Sequence, residues 1–254
     1  MSIVRLILFL LLLAALISCG GGAGPPTVRL TAVAPDYLEG FLDSTAGQFA
    51  RENGVRIIFR FEPPDSILPL VRNDPDFDLF IAANPERWLE SRGDTLIRWE
   101  TLTSLFEIPF VMVGRVGGPV ISAPDDLIGD RIRRVCIVDP EAGMEGRLGH
   151  YVLQKQRIWE KIQNRLILAR SSEHVLSYLT TGEVDAALVF EYSLGQTPGV
   201  TVMDTIDLGN RLVYCGAVMA GSENPDPARA FLDLFTSRLC ALYQVRGFHL
   251  YRDR

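Results

Sequence analysis

From Thr27 onward the chain alternates short β-rich apolar runs with stretches of helical spacing. Thr27 to Ala34 reads as a strand. Leu38, Phe41, Leu42, Thr45 and Phe49 then recur on one face of a helix that Pro35 can open. Val55, Ile57, Phe59 and Phe61 share one side of a second strand. Ser66 to Arg72 is a short helix, with Pro69 expected in its first turn, where a missing N–H is tolerated. Phe77 to Ala82 is a strand and Pro85 to Ser91 a further helix. A β-α-β-α-β-α order implies a parallel sheet with helices on its faces.

An apolar run, Leu105 to Val113, is followed by Gly114, Gly117, Gly118 and Pro119, and a second α/β series begins. Asp125 to Ile128 is a short turn of helix, Ile132 to Val138 a strand, Gly146 to Gln156 a helix and Ile158 to Asn164 a shorter one. Leu166 to Ala169 and Ala186 to Phe190 are strands on either side of a helix at Glu173 to Thr181. Leu212 to Ala220 is one more β-run, and helices at Pro227 to Phe235 and Leu239 to Val245 close the pattern. The second series is therefore bracketed by the first. No internal repeat is visible.

The first residues change the picture. Arg5 precedes an unbroken apolar run from Leu6 to Ile17, which ends in Ser18-Cys19-Gly20. These 12 residues are fewer than the roughly 20 needed to cross a bilayer. They read as a signal peptide over 1–18. Gly20 to Pro26 has no apolar face and reads as part of a flexible tether, 19–26. Removing residues 1–18 takes away Arg5 and leaves 24 basic against 31 acidic residues, a net charge of −7. An acidic surface without a basic run argues against nucleic acid or anionic lipid as partner. Apart from Cys19, the cysteines are Cys136, Cys215 and Cys240, without CxxC spacing, so a zinc site is not expected and metal ligands are assigned to none. Cys136 and Cys215 lie in apolar strand-like runs and read as buried free thiols, with a disulfide as the alternative.

Leu16-Ile17-Ser18-Cys19 resembles the lipobox of bacterial lipoproteins, which implies lipid on Cys19. Four further phrases resemble the periplasmic molybdate-binding protein family: Phe77-Asp78-Leu79-Phe80-Ile81-Ala82-Ala83; Val138-Asp139-Pro140 with Gly146-Arg147; Thr181-Gly182-Glu183-Val184-Asp185-Ala186-Ala187-Leu188-Val189; and Asn224-Pro225 with Ala230-Phe231-Leu232. The resemblance runs from about Val28 to Phe248. It implies an α/β, two-lobed type 2 periplasmic-binding-protein fold, with lobe one at 27–112 plus 217–254, lobe two at 113–216, and the runs Leu105 to Val113 and Leu212 to Ala220 crossing between them. It also implies a small ligand in the interlobe cleft, an ABC permease as membrane partner, no cofactor, and a monomer exported to the outer or periplasmic face of a bacterial membrane.

In open parallel sheets, strand C-termini and helix N-termini face the crevice, so free N–H groups and positive dipole ends converge there. By the resemblance, the first helix start falls at Ala34 and Pro35, where a hydroxyl is replaced and Pro35 offers no N–H. The second falls at Asp65 and Ser66. Ser66 keeps a hydroxyl, whereas Asp65 would cap its own helix and repel an incoming anion, or else contact a cationic or polyhydroxylated ligand directly. Ala142, Gly143 and Met144 can present N–H groups from a loop. Arg147 either reaches the ligand or is a solvated first-turn residue. Phe190 takes the place of a tyrosine and reads as core or cleft wall, followed by Glu191 and Tyr192, the latter a candidate replacement hydroxyl. With those donors missing and carboxylates added, weak or absent molybdate binding is expected.

An enzyme would need a nucleophile and base, but His150, His174 and His249 stand in no nucleophile motif, so no catalytic residue is assigned. A second reading is a sensory or interaction lipoprotein with a divergent cleft that no longer serves transport. Neighbouring permease and ATPase genes would separate the two.

Overall fold

The computed structural model of the protein describes residues 28–74, 76–83, 96–195, 197–209, 212–246 and 249–250, side chains from 240 onward excepted. The expected signal, Cys19, the tether and the helix at Pro85 to Ser91 lie outside these residues.

Two mixed sheets organise the chain. The first has six strands in the order β11-β4-β10-β3-β1-β2 and the second five in the order β7-β6-β8-β5-β9. In the first, β1 (Val28–Pro35) pairs in parallel with β2 (Val55–Glu62) and β3 (Leu79–Ala83). β10 (Val213–Val218) runs antiparallel to β3 and to β4 (Thr103–Glu107), and β11 (His249–Leu250) adds at the edge. In the second, β6 (Val135–Val138) is parallel to β7 (Leu166–Ala169) and β8 (Ala186–Phe190), while β5 (Phe110–Arg115) is antiparallel to β8 and to β9 (Val200–Thr205). Each sheet thus has a parallel trio and an antiparallel flank. The parallel trios are what the alternating pattern implied. In the flanks, β4, β5 and β10 lie within the apolar runs Leu105 to Val113 and Leu212 to Ala220 apart from their outermost residues, whereas β9, half-buried or exposed at every position, carries no comparable signal.

The helices are α1 (Glu39–Asn53), α2 (Pro64–Asn73), α3 (Met144–Lys155), α4 (Trp159–Ile162), α5 (Ser172–Thr181) and α6 (Pro225–Arg246). α1 ends at Gly54, left-handed at φ 66°, as a helix stop favours glycine. Two differences from the sequence pattern have local causes. The run Leu105 to Val113 is divided at Ile108-Pro109 into β4 and β5, which belong to different sheets; Pro109 has no N–H for the ladder. α2 begins at Pro64, earlier than expected, because Pro63 and Pro64 preset a helical entry; Pro69 consequently lies inside the helix and not in its first turn.

The chain passes between sheets at 108–109 and again between Thr205 and Val213. One continuous apolar cluster joins the lobes through these passages, with Phe106 stacked on Tyr214 at 5.0 Å and Phe110 edge-on to Phe190 at 5.4 Å. A satellite cluster covers another face of each sheet. Cys136 and Cys215 are buried free thiols, and burial pushes both up to about 12, so they pack as small apolar groups.

The two lobes repeat one device. Asp78, at the entry to β3, accepts the Thr31 N–H at 2.8 Å and the Ser222 hydroxyl at 2.6 Å. Asp185, at the entry to β8, accepts the Arg133 N–H at 2.7 Å and the Arg134 N–H at 3.2 Å. Each carboxylate ties its strand to the neighbouring one, which accounts for the aspartates in the phrases Phe77-Asp78-Leu79 and Val184-Asp185-Ala186.

Candidate binding cleft

The first-lobe wall is built by the ends of β1 and β2. After buried Ala34 and Pro35 the chain makes a short 3-10 turn, Asp36–Leu38, in which the Asp36 carboxylate accepts the Tyr37 N–H at 2.8 Å. α2 starts behind Pro63-Pro64, and the Ser66 N–H closes back on the Pro63 carbonyl at 2.9 Å. Three prolines and one engaged amide leave this wall poor in backbone donors. Asp65 caps nothing in its own helix; its carboxylate pairs instead with Arg147 of the second lobe.

The second-lobe wall is built by the starts of α3 and α5 and the end of β8. A Cβ on Gly146 would lie 2.2 Å from the Asp139 carbonyl oxygen, so only glycine lets α3 begin against the end of β6. That contact sets the direction of the two flanking side chains, Glu145 and Arg147. Glu145 turns into the wall: one carboxylate oxygen accepts the Phe190 N–H at 2.7 Å and the other the Ser172 hydroxyl, at the first residue of α5. Burial holds the Glu145 carboxyl above the usual 4.5, Glu173 adds to that, and the two hydrogen bonds oppose it.

Tyr37 and Tyr192 stack across the lobes with ring centroids 4.5 Å apart, and Tyr37 meets Tyr214 edge-on at 5.9 Å. Burial, more than any neighbouring charge, raises all three phenols, so they stay neutral hydroxyls at any physiological pH. Asp36 acts on Tyr37, Tyr192 and Tyr214, Asp65 on Tyr214, and Glu145 on Tyr192. The arrangement is a tyrosine cluster between two lobes, facing three carboxylates and one arginine that is already paired. A separate hollow of about 220 Å³ lies beside the passage strands, lined by Ile108, Pro109, Phe110, Ile206 and Leu212, and contains none of these groups.

The residues expected to form the site are therefore only partly brought together. Asp65, Tyr192 and the Phe190 N–H lie at the interlobe contact. The Phe190 ring is core, 3% exposed. Ala142 does not offer its N–H, which closes a turn on the Asp139 carbonyl at 2.9 Å. Gly143 caps α3 and Met144 is its half-buried first residue, packed on the central cluster. The Glu191 N–H is bound to the Pro109 carbonyl at 2.9 Å, which anchors the turn after β8 to the passage between lobes. Glu145, Ser172, Tyr37 and Tyr214 were not legible as site residues. Glu145 two residues after Gly143 looks like an ordinary acidic first-turn residue, and tyrosines in apolar runs look like core.

A profile of the bacterial extracellular solute-binding protein family matches residues 30–239. The chain belongs to that family. Among solute-binding relatives, YvgL of Bacillus subtilis, described as a candidate ABC transporter substrate-binding lipoprotein, is 25% identical over 63% of this chain and 62% of its own length, less than two thirds of that relative. The molybdate-binding protein ModA of Escherichia coli K12 is 25% identical over 81% of this chain and 82% of its own. The solved substrate-binding domain of a candidate molybdenum ABC transporter from Clostridium difficile superposes with a TM-score of 0.75 at 18% identity, over 89% of this chain and 100% of that one. That likeness establishes the two-lobed type 2 periplasmic-binding-protein fold.

Proposed function

We propose that the protein is an extracytoplasmic solute-binding lipoprotein of an ABC-type importer. It is anchored through Cys19 and carries a small oxyanion of the molybdate or tungstate class from the interlobe cleft to a membrane permease. The observation that carries the ligand class is the seating of the Glu145 carboxylate on the Phe190 N–H and the Ser172 hydroxyl, at the starts of α3 and α5. These groups donate hydrogen bonds to anionic oxygen, and helix N-termini favour negative charge there. The names of ModA and of YvgL support the transport role and the anchor. No helix among the described residues, which begin at Val28, is long and apolar enough to cross a membrane.

Closing two lobes on a solute removes water and couples occupancy to a shape that a permease can read. The test is a thermal-shift and fluorescence panel, with Trp99 and Trp159 among the reporters, against molybdate, tungstate, sulfate, phosphate, divalent cations and small organic acids. Molybdate or tungstate should raise the melting temperature, with weak affinity at neutral pH. Stabilisation by a cation or an organic acid, with no response to any oxyanion, would overturn the ligand class.

A further inference from the structure

We propose that Glu145 is a tethered surrogate for the anionic ligand and the residue that sets the cleft's selectivity: its carboxylate occupies the second-lobe donors, and a free oxyanion reaches them only when Glu145 leaves. The inference rests on the ligand class argued above and deepens it.

The geometry is that of a bound anion. Each of the two oxygens takes one donor, the Phe190 N–H at 2.7 Å and the Ser172 hydroxyl. The donors come from different elements, the end of β8 and the start of α5, and Glu145 itself stands in the first turn of α3. A strand end and a helix start therefore converge on one carboxylate that the first turn of a third element carries, as they would on an oxyanion. The attachment is by a single flexible side chain, so the occupant can be exchanged without moving the backbone that Gly146 fixes against Asp139.

The surroundings oppose a second anion while Glu145 is ionised. Glu173 faces it from α5 and Tyr192 from the turn after β8; neither contributes positive charge at neutral pH. Arg147, on the same helix, is paired with Asp65 across the cleft. Burial raises the Glu145 carboxyl, so acid neutralises it before an ordinary glutamate. Protonation weakens its hold as an acceptor and removes the repulsion, and oxyanion affinity rises as pH falls.

The test is isothermal titration of the purified protein with tungstate and with molybdate at pH 7.5 and 5.5, comparing the wild type with Glu145→Ala and Glu145→Gln and checking each by melting. Glu145→Ala should bind at least tenfold more tightly than wild type at pH 7.5, with Glu145→Gln between them. Acidification should tighten the wild type several-fold and leave Glu145→Ala unchanged. If Glu145→Ala does not fold, Glu145→Gln decides alone, because it keeps the side-chain volume. A cooperative melt with no gain in affinity in either variant overturns the surrogate role while leaving wild-type oxyanion binding intact. Failure of all three proteins to bind either anion at both pH values overturns the ligand class as well.

Discussion

The two walls of the cleft are made by equivalent pieces of equivalent sheets, and they differ in what they offer. The first-lobe wall enters its helices through Pro35, Pro63 and Pro64, has few free N–H groups, and projects Asp36 and Asp65. The second-lobe wall enters α3 through Gly143 and Gly146, exposes true donors at Ser172 and Phe190, and fills them with its own Glu145. Proline fixes a helix start while removing donors, whereas glycine at 146 lets α3 begin hard against the end of β6, beside Glu145. A single fold thus supplies one wall that presents carboxylates and few donors and another that presents hydrogen-bond donors held by its own carboxylate.

The largest effect should come from the glycine that shapes the second wall. Gly146→Ala forces a methyl against the Asp139 carbonyl and should cost about 3 kcal/mol in denaturant unfolding, in the range of overpacked sites. Gly40→Ala in α1 meets nothing within 4 Å and should instead stabilise by about 0.5 kcal/mol. Equal losses at the two positions would remove the special role of the α3 entry.

Next come the aspartates that the lobes share. Asp185→Ala strands two backbone N–H groups at an 8% exposed site and should cost about 2–3 kcal/mol. Asp78→Ala, whose site is half-buried, should cost somewhat less by the same measurement. A larger loss in the first lobe would reverse the comparison of burial.

The third effect has a sign fixed by Glu145. Its carboxyl is raised in the folded protein, so the folded state holds its proton more tightly than the unfolded chain. Stability from this group is complete below about 4.5 and is lost as pH rises through the raised value. Melting temperatures should therefore show Glu145→Gln gaining on wild type at neutral pH and the gain vanishing in acid. A gain that grows toward acid would contradict the assignment. The smallest effect belongs to the interlobe ion pair: Arg147 and Asp65 are 52% and 37% exposed, and Arg147→Ala should change unfolding stability by less than about 1 kcal/mol. Its reach should appear instead in solution scattering, as a more open pair of lobes.

Much of the architecture was legible because burial leaves periodic traces. β1, β3, β6 and β8 are apolar runs of the length of strands, and α1 carries one buried face at Leu42, Thr45, Ala46 and Phe49. Pro227 to Val245, read as two helices, is within the single helix α6, since Thr236 to Arg238 is polar without being a stop signal. The cleft was less legible. Asp65 and Tyr192 stand at the interlobe contact, but the partner of Asp65 lies 82 residues away, and Glu145 meets Phe190 across 45. No local spacing encodes such pairings, and an acidic residue in a first turn has an adequate local explanation in the helix dipole.

The most direct test is a crystal structure of Glu145→Ala grown with tungstate, in which the anomalous signal of tungsten locates the anion. One strong peak is expected in the interlobe cleft, within hydrogen-bond distance of the Ser172 hydroxyl and the Phe190 N–H and close to the Tyr37–Tyr192 stack. A peak elsewhere, or a cleft holding only solvent on those donors, would contradict the surrogate role of Glu145.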